Sequence, residues 1–241
     1  MKCLARISYD GSHFEGFQRL KNGHGVQNEL ERVLSLIGKK DIQIKGAGRT
    51  DAGVHACDQA VSFELDVDMD LDKLKYVLNR SLSPYVAVHS IEVVSPDFHA
   101  RFSVKEKVYL YKIYLGEKNP FLEDYFYCFY QKLDIDKMKE ASRLFVGTHD
   151  FRNFVSGFRE DYTSSISDIS ITQENDYIYI EFKGTSFYRY MIRSIVGALI
   201  EVGLGKASFQ EIIEALEHPE IEKRFFVAPA SGLYLKKVYY S

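Results

Sequence analysis

Among its 241 residues the sequence has no tryptophan, only three cysteines and only five prolines. The cysteines, Cys3, Cys57 and Cys128, are odd in number, far apart and never in a CxxC pair. This argues against a disulfide framework and against a thiolate zinc site, and it suits a reducing cytosol. The seven histidines form neither HExxH nor HxxxH, so no metal site is expected. No apolar run approaches the length that spans a bilayer. The segment MKCLARISYDGSHFEG lacks a long apolar core and a small-residue cleavage site, so no signal peptide is expected and the assignment is cytoplasmic. Low-complexity segments, proline-rich linkers and clear repeats are missing too. A formal net charge of −3 argues against an indiscriminate nucleic-acid binder, yet permits a local basic groove.

The chain is long enough for one large domain or two small ones, each with a real core. Phenylalanine and tyrosine are abundant, and most of that surplus is expected to fill the core. Residues 3–9 alternate as a strand. Val26, Leu30, Val33, Leu34 and Ile37 form one apolar helical stripe. DIQIKG reads as a short strand, and Val61, Phe63 and Leu65 alternate in the next. Asp70 caps a helix carrying Leu71, Leu74, Val77 and Leu78, and residues 86–94 form a further strand. The order is β-α-β-β-α-β.

The second half echoes it. Residues 108–115 form a strand with Tyr109, Tyr111 and Ile113 on one face. Met138, Ala141, Leu144 and Phe145 mark a helix, and strands start at Ile169 and pass through Ile178, Ile180 and Phe182. An apolar helix runs from about Phe187 to Val202. Ser208 and Glu211 form a capping box, and GLYLKKVYY is a closing strand. The class is α+β, in two similar halves divided as 1–100 and 101–241.

One stretch stands apart: KGAGRTDAGVHA, residues 45–56. No GK[ST] follows, and a strand stands where a dinucleotide-binding loop needs a helix. Gly46, Gly48 and Gly53 permit restricted backbone, so the loop can aim one side chain over a cleft. Asp51 suits a nucleophile or general base. Arg49 can pair with Asp51, meet a phosphate or enter a nucleic-acid stack. The alternative is a tight turn carrying a surface ion pair, worth little.

GRTDAGVHA resembles the signature loop of the bacterial tRNA pseudouridine synthase A family. YDGSHFEGFQ, Val26–Gln27, FHARFSV (98–104), KVYLY (107–111), MIRSIVGALIEVG (191–203) and APASGLYL (228–235) match further family motifs in order, over essentially the whole chain. The resemblance implies two ferredoxin-like α+β halves with a merged antiparallel sheet and a central RNA-binding cleft, in a homodimer without cofactor or metal. The implied reaction isomerises uridine to pseudouridine, at positions 38–40 in the anticodon arm of tRNA. Asp51 is then the essential carboxylate, attacking C1′ or removing the C2′ proton. Arg49 helps extrude the base or fills its place, offsetting an unstacking cost of a few kcal/mol. Tyr109 stacks on the uracil and assists proton transfer from C5; otherwise it is a core tyrosine. Arg193, on an apolar helix, needs a partner, and the family's answer is Asp51; otherwise it snorkels to the surface. Phe98, His99, Ala100, Arg101 and Phe102 are the implied RNA-contacting strip, extended by Lys105 and Lys107. His55 is expected to make a loop hydrogen bond.

Three departures bear on the substrate. Phe17 replaces a tryptophan, Ser167 stands where an arginine is usual, with Arg159 nearby, and the chain is acidic overall for an RNA enzyme; Ser194 also replaces an asparagine of the MVRNIVG motif. The chemistry is therefore better marked than the substrate. A paralogue acting on ribosomal RNA, a catalytically silent RNA-binding protein and a small-molecule binding module are the alternatives.

Overall fold

A computed structural model describes residues 1–66 and 69–240. It is α+β and divides into two compact units. The first comprises Met1–Lys105 with the chain from Tyr234 on, and the second is Glu106–Leu233. Division by sequence order alone puts the last strand in 101–241. Compactness instead groups it with the first unit.

The first unit follows the expected order: β1 (Lys2–Tyr9), α1 (Val26–Gly38), β2 (Lys45–Gly46), β3 (His55–Glu64), α2 (Leu71–Ser81) and β4 (Val86–Val93). The predicted helical stripe forms the buried face of α1 through Val26, Leu30, Val33 and Leu34. Each fully buried side chain of this kind contributes about 1.5–3 kcal/mol. Asp70 caps α2 by accepting from the Lys73 amide at 3.0 Å. β1 lies between β4 and β3, antiparallel to both. The outer edge of β3 is shared. β2 pairs with its Val61–Ser62 end, and the last strand, β10 (Leu233–Tyr239), pairs parallel with His55 and Ala56.

The second unit contains β5 (Glu106–Tyr114), β6 (Tyr127–Cys128), α3 (Ile135–Ser142), β7 (Gly147–Asp150), β8 (Thr163–Glu174), β9 (Tyr177–Gly184), α4 (Met191–Gly203) and α5 (Phe209–Glu217). Its strands run in the order β5-β9-β8-β7, with β6 on the edge of β5. Tyr109, Tyr111 and Ile113 face the core as expected, opposite Phe182, Ile180 and Ile178 of β9. α5 starts at its predicted capping box, with Ser208 Oγ accepting from the Glu211 amide and Glu211 Oε2 accepting from the Ser208 amide.

Several expectations need correction. The strand pairing is mixed and not wholly antiparallel, since β10 runs parallel to β3 and β6 parallel to β5. Parallel partners need long connections, and nothing in the local pattern of a strand declares its direction. DIQIKG is strand only at Lys45–Gly46, because α1 takes its other amides: Ser35 Oγ accepts from Ile42 and Glu31 Oε1 from Ile44. α4 starts at Met191, where Tyr190 in the left-handed region (φ 66°) breaks the run from Phe187. Leu144 and Phe145 lie in a 3-10 turn. β8 begins six residues before Ile169, in a polar segment that shows no apolar alternation. No helix among the described residues is long and apolar enough to cross a membrane.

Candidate active site

The GRTDAGVHA stretch forms the connection from β2 to β3, and its backbone is pinned at successive points. The Gln59 amide, fully buried on β3, donates to the Gly48 carbonyl at 3.0 Å. Thr50 is held twice. Its hydroxyl meets the Tyr9 hydroxyl at 2.8 Å, and its carbonyl accepts from the Phe17 amide at 3.1 Å. The Val54 amide donates to the Asp51 carbonyl at 3.1 Å, closing a turn around Ala52 and Gly53. Each such bond contributes roughly 1 kcal/mol net, so together they hold the turn in one shape.

Of the three glycines read as conformationally permissive, only Gly53 has a positive φ, 79°. This matches the third residue of a turn that reverses the chain in four. Gly46 serves a different purpose: a Cβ there would lie 2.5 Å from the Phe17 ring. The decisive glycine outside the loop is Gly16. Its φ is 105°, and a Cβ would stand 2.9 Å from the Thr50 carbonyl oxygen and 3.4 Å from the Asp51 carbonyl carbon. The YDGSHFEGFQ segment is therefore the backing of the Asp51 turn. α1 holds that segment in turn, as the Val26 amide donates to Gly16 and the Gln27 amide to Phe17. The departure at Phe17 keeps the apolar wall of this backing.

Asp51 is half-buried, and Arg49 is exposed. Arg49 has no ion pair or hydrogen bond among the described residues, so it does not neutralise Asp51. The tight-turn alternative, with its Arg49–Asp51 surface pair, is not what the loop builds. It leaves a carboxylate on fixed backbone and a guanidinium reaching into solvent two residues before it.

His55 is buried at the start of β3. Its Nδ1 lies 3.1 Å from the Gly11 amide, which donates to it, and 3.2 Å from Asp10 Oδ1. The ring stacks on Tyr234 at 4.5 Å. The expected loop hydrogen bond is present, and it joins the loop's exit to the turn after β1. Tyr9, fully buried behind Thr50, has its phenol pKa pushed up to about 12 by burial, against the opposing hydrogen bonds of Thr50 and Gln59. It therefore remains a neutral hydroxyl beside the turn.

The strip 98–102 is a turn. Ala100 is buried, and its carbonyl accepts from the Tyr240 hydroxyl at 2.6 Å. Phe98 meets the Tyr240 ring edge-on at 5.0 Å. His99 Nδ1 accepts from the Arg101 amide at 3.1 Å, and the His99 and Phe102 rings approach to 4.4 Å. Arg101 and Phe102 are exposed, Phe102 at 77%. Two of the five strip residues thus face solvent, and the other three shape the turn that presents them.

Tyr109 and Arg193 belong to the second unit. Tyr109 is buried on β5, with Phe187 edge-on at 5.2 Å. Arg193 is half-buried in the first turn of α4. Its Nε donates to the Ala228 carbonyl at 2.6 Å, and its guanidinium lies 4.8 Å from the Tyr190 ring centroid. Ser167, the second departure, is the extra residue of a bulge in β8, and its hydroxyl donates to Glu106 at 3.2 Å. Arg159 stacks on Tyr188 at 4.0 Å. Among the described residues no group of three or more His, Cys, Asp or Glu side chains converges as a metal site would need.

A family model described as tRNA pseudouridine synthase matches residues 5–103 and 141–241. This chain belongs to the tRNA pseudouridine synthase family. It is 40% identical over 242 residues to tRNA pseudouridine synthase A of Malacoplasma penetrans (strain HF-2), covering all of both chains. It is 41% identical over 238 residues to tRNA pseudouridine synthase A of Dictyoglomus thermophilum, covering 97% of each. The protein of that name from Geobacillus sp. (strain WCH70) is 40% identical over 244 residues, with 100% of this chain and 98% of the relative covered.

Several supports of the site were not singled out from the sequence. Tyr9, Gly16, Thr50 and Gln59 act through backbone atoms or from another strand. Of these, Tyr9, Gly16 and Thr50 lie inside the matched motifs. Gln59 carried one signal, a polar residue amid the apolar alternation of β3.

Proposed function

We infer that this chain is an isomerase converting uridine to pseudouridine in tRNA. The N1–C1′ bond breaks, C5 bonds to C1′, the C5 hydrogen leaves as a proton and N1 gains one. The observation that carries the reading is Asp51, a half-buried carboxylate on a turn braced at Gly48, Thr50 and Val54, with the exposed Arg49 two residues before it. A carboxylate held this way starts the exchange, by attack at C1′ or by removal of the C2′ proton. Arg49, exposed at the entry to the turn, offsets the cost of extruding the base with its planar cation. Tyr109 receives the uracil ring and assists the late proton transfer. Arg193 gives electrostatic support to the Asp51 carboxylate. Arg101 and Phe102 meet the RNA, Arg101 as a phosphate contact that positions without specifying. Within the same proposal the target is positions 38–40 of the anticodon arm, and the working form is a cytoplasmic homodimer.

The test is tritium release from tRNA transcripts labelled at uridine C5. Release by the wild type and none by Asp51→Asn supports both the reaction and the carboxylate. Absence of release from every tRNA, with release from ribosomal RNA, would move the substrate. Tight RNA binding without release from either would sink the catalytic reading.

A further inference from the structure

We propose that Tyr111 is a positioning residue for Arg193: its hydroxyl anchors the segment Phe226–Pro229, and that segment fixes the arginine side chain. The proposal rests on the reading of Arg193 as part of the site.

α4 is buried except at Arg193 and Glu201. With Gly197 between them these residues are spaced by four, so they form one stripe along the helix. The segment from Phe226 to Ala228 runs along that stripe in the opposite direction. Its Phe226 amide donates to Glu201 Oε1 at 2.9 Å. The Phe226 carbonyl sits on Gly197 so closely that a Cβ there would be 1.6 Å from the oxygen. The Ala228 amide donates to the Arg193 carbonyl at 3.0 Å, and Arg193 Nε donates back to the Ala228 carbonyl at 2.6 Å. Ala228 therefore bonds to both the backbone and the side chain of Arg193.

The next residue carries the anchor. The Pro229 carbonyl accepts from the Tyr111 hydroxyl at 2.8 Å. Tyr111 packs its ring against Gly232. It is fully buried on β5, and a Cβ on Gly232 would lie 2.7 Å from its Cζ. Burial holds the phenol well above its usual pKa, against the opposing pull of the Arg193 charge, so the hydroxyl stays protonated and donates. Tyr109 and Tyr111 share one face of β5 but divide the work: Tyr109 is the proposed substrate contact, and Tyr111 reaches Arg193 only through Ala228–Pro229.

The test is a double-mutant cycle on the full chain, with tritium release as the assay. Tyr111→Phe removes only the hydroxyl. It is expected to lower kcat about tenfold, because small misplacements of site groups cost rate steeply, while KM for tRNA stays within about twofold. Arg193→Lys keeps the charge and loses the Nε donor. Adding Tyr111→Phe to it is expected to cost nothing more, since both changes break one chain of contacts. The Arg193 Nε–H resonance is expected to shift in Tyr111→Phe. Independent, multiplicative losses, or wild-type kcat in Tyr111→Phe beside an impaired Arg193→Lys, would overturn the positioning role and leave the reading of Arg193 standing. Full activity in Arg193→Lys overturns this proposal, and full activity in Arg193→Ala overturns the reading of Arg193 as well. Should Tyr111→Phe fail to fold, Pro229→Ala keeps the carbonyl that accepts from Tyr111 but removes the ring that fixes φ, and so loosens the segment while sparing both side chains. It is expected to lower kcat in the wild type and not in Arg193→Lys; any other outcome overturns the proposal.

Discussion

Tyr9 illustrates how a buried residue on another strand shapes the turn that carries the proposed catalytic carboxylate. Its hydroxyl holds Thr50, and Thr50 precedes Asp51. Tyr9→Phe is expected to cost about 1 kcal/mol of stability, with kcat falling more than affinity for tRNA; denaturant unfolding and tritium release check both. Its titration sets a pH window. The folded chain keeps the phenolic proton up to about pH 12, whereas an ordinary tyrosine loses it near 10.0. A raised pKa means the folded state binds the proton more tightly, so this contribution is intact below pH 10 and fades between 10 and about 12. Unfolding measured at pH 9 and 11 should show a loss in the wild type that is smaller in Tyr9→Phe. Gly16→Ala tests the backing of the turn more severely. A side chain at φ 105° against the Thr50 carbonyl is expected to cost roughly 1–3 kcal/mol, and equal stability of the variant would refute the account.

Elements were legible where one chemical signal repeated or closed locally. The stripe of α1, the Asp70 cap of α2 and the Ser208–Glu211 box of α5 are all visible in residue order. What those signals omit is the partner from elsewhere in the chain. Glu211 also receives the Lys223 ammonium, and this contact, with the Ser208 bonds, draws its pKa down to about 2. A lowered carboxylate pKa favours folding above its unfolded value of 4.5, and that advantage is lost as pH falls toward 2. Lys223→Ala is expected to move the Glu211 titration upward when followed by NMR. Ser208→Ala should cost about 1 kcal/mol of stability at neutral pH. DIQIKG failed as a strand for a related reason: Ser35 and Glu31 on α1 capture its amides, and a period-two pattern cannot show who accepts a hydrogen bond.

For the whole molecule the informative element is β10. It is last in sequence yet belongs to the unit that the N-terminal residues build. Its Leu235 and Val238 are buried, the Val238 carbonyl accepts from Arg6, and the Tyr240 hydroxyl reaches Ala100 in the proposed RNA strip. Truncating the chain before Tyr234 is therefore expected to destabilise the first unit and loosen residues 98–102. Hydrogen exchange across β3 and the strip would report it. Unchanged protection there would show that β10 is dispensable to that unit.

Residue order by itself determined the α+β class, most helices, the family and the loop that carries Asp51. These depend on local spacing and on motifs that lie contiguous in the chain. Tertiary structure decided that β10 pairs parallel with β3, that Arg49 reaches into solvent and makes no pair with Asp51, and that Gly16, Tyr9 and Gln59 fix the turn. It also decided that Tyr111 reaches Arg193 through Pro229. Each of these rests on a contact between residues distant in sequence, most often through a backbone carbonyl or amide. Every residue carries the same backbone groups, so only the folded chain shows which of them meet.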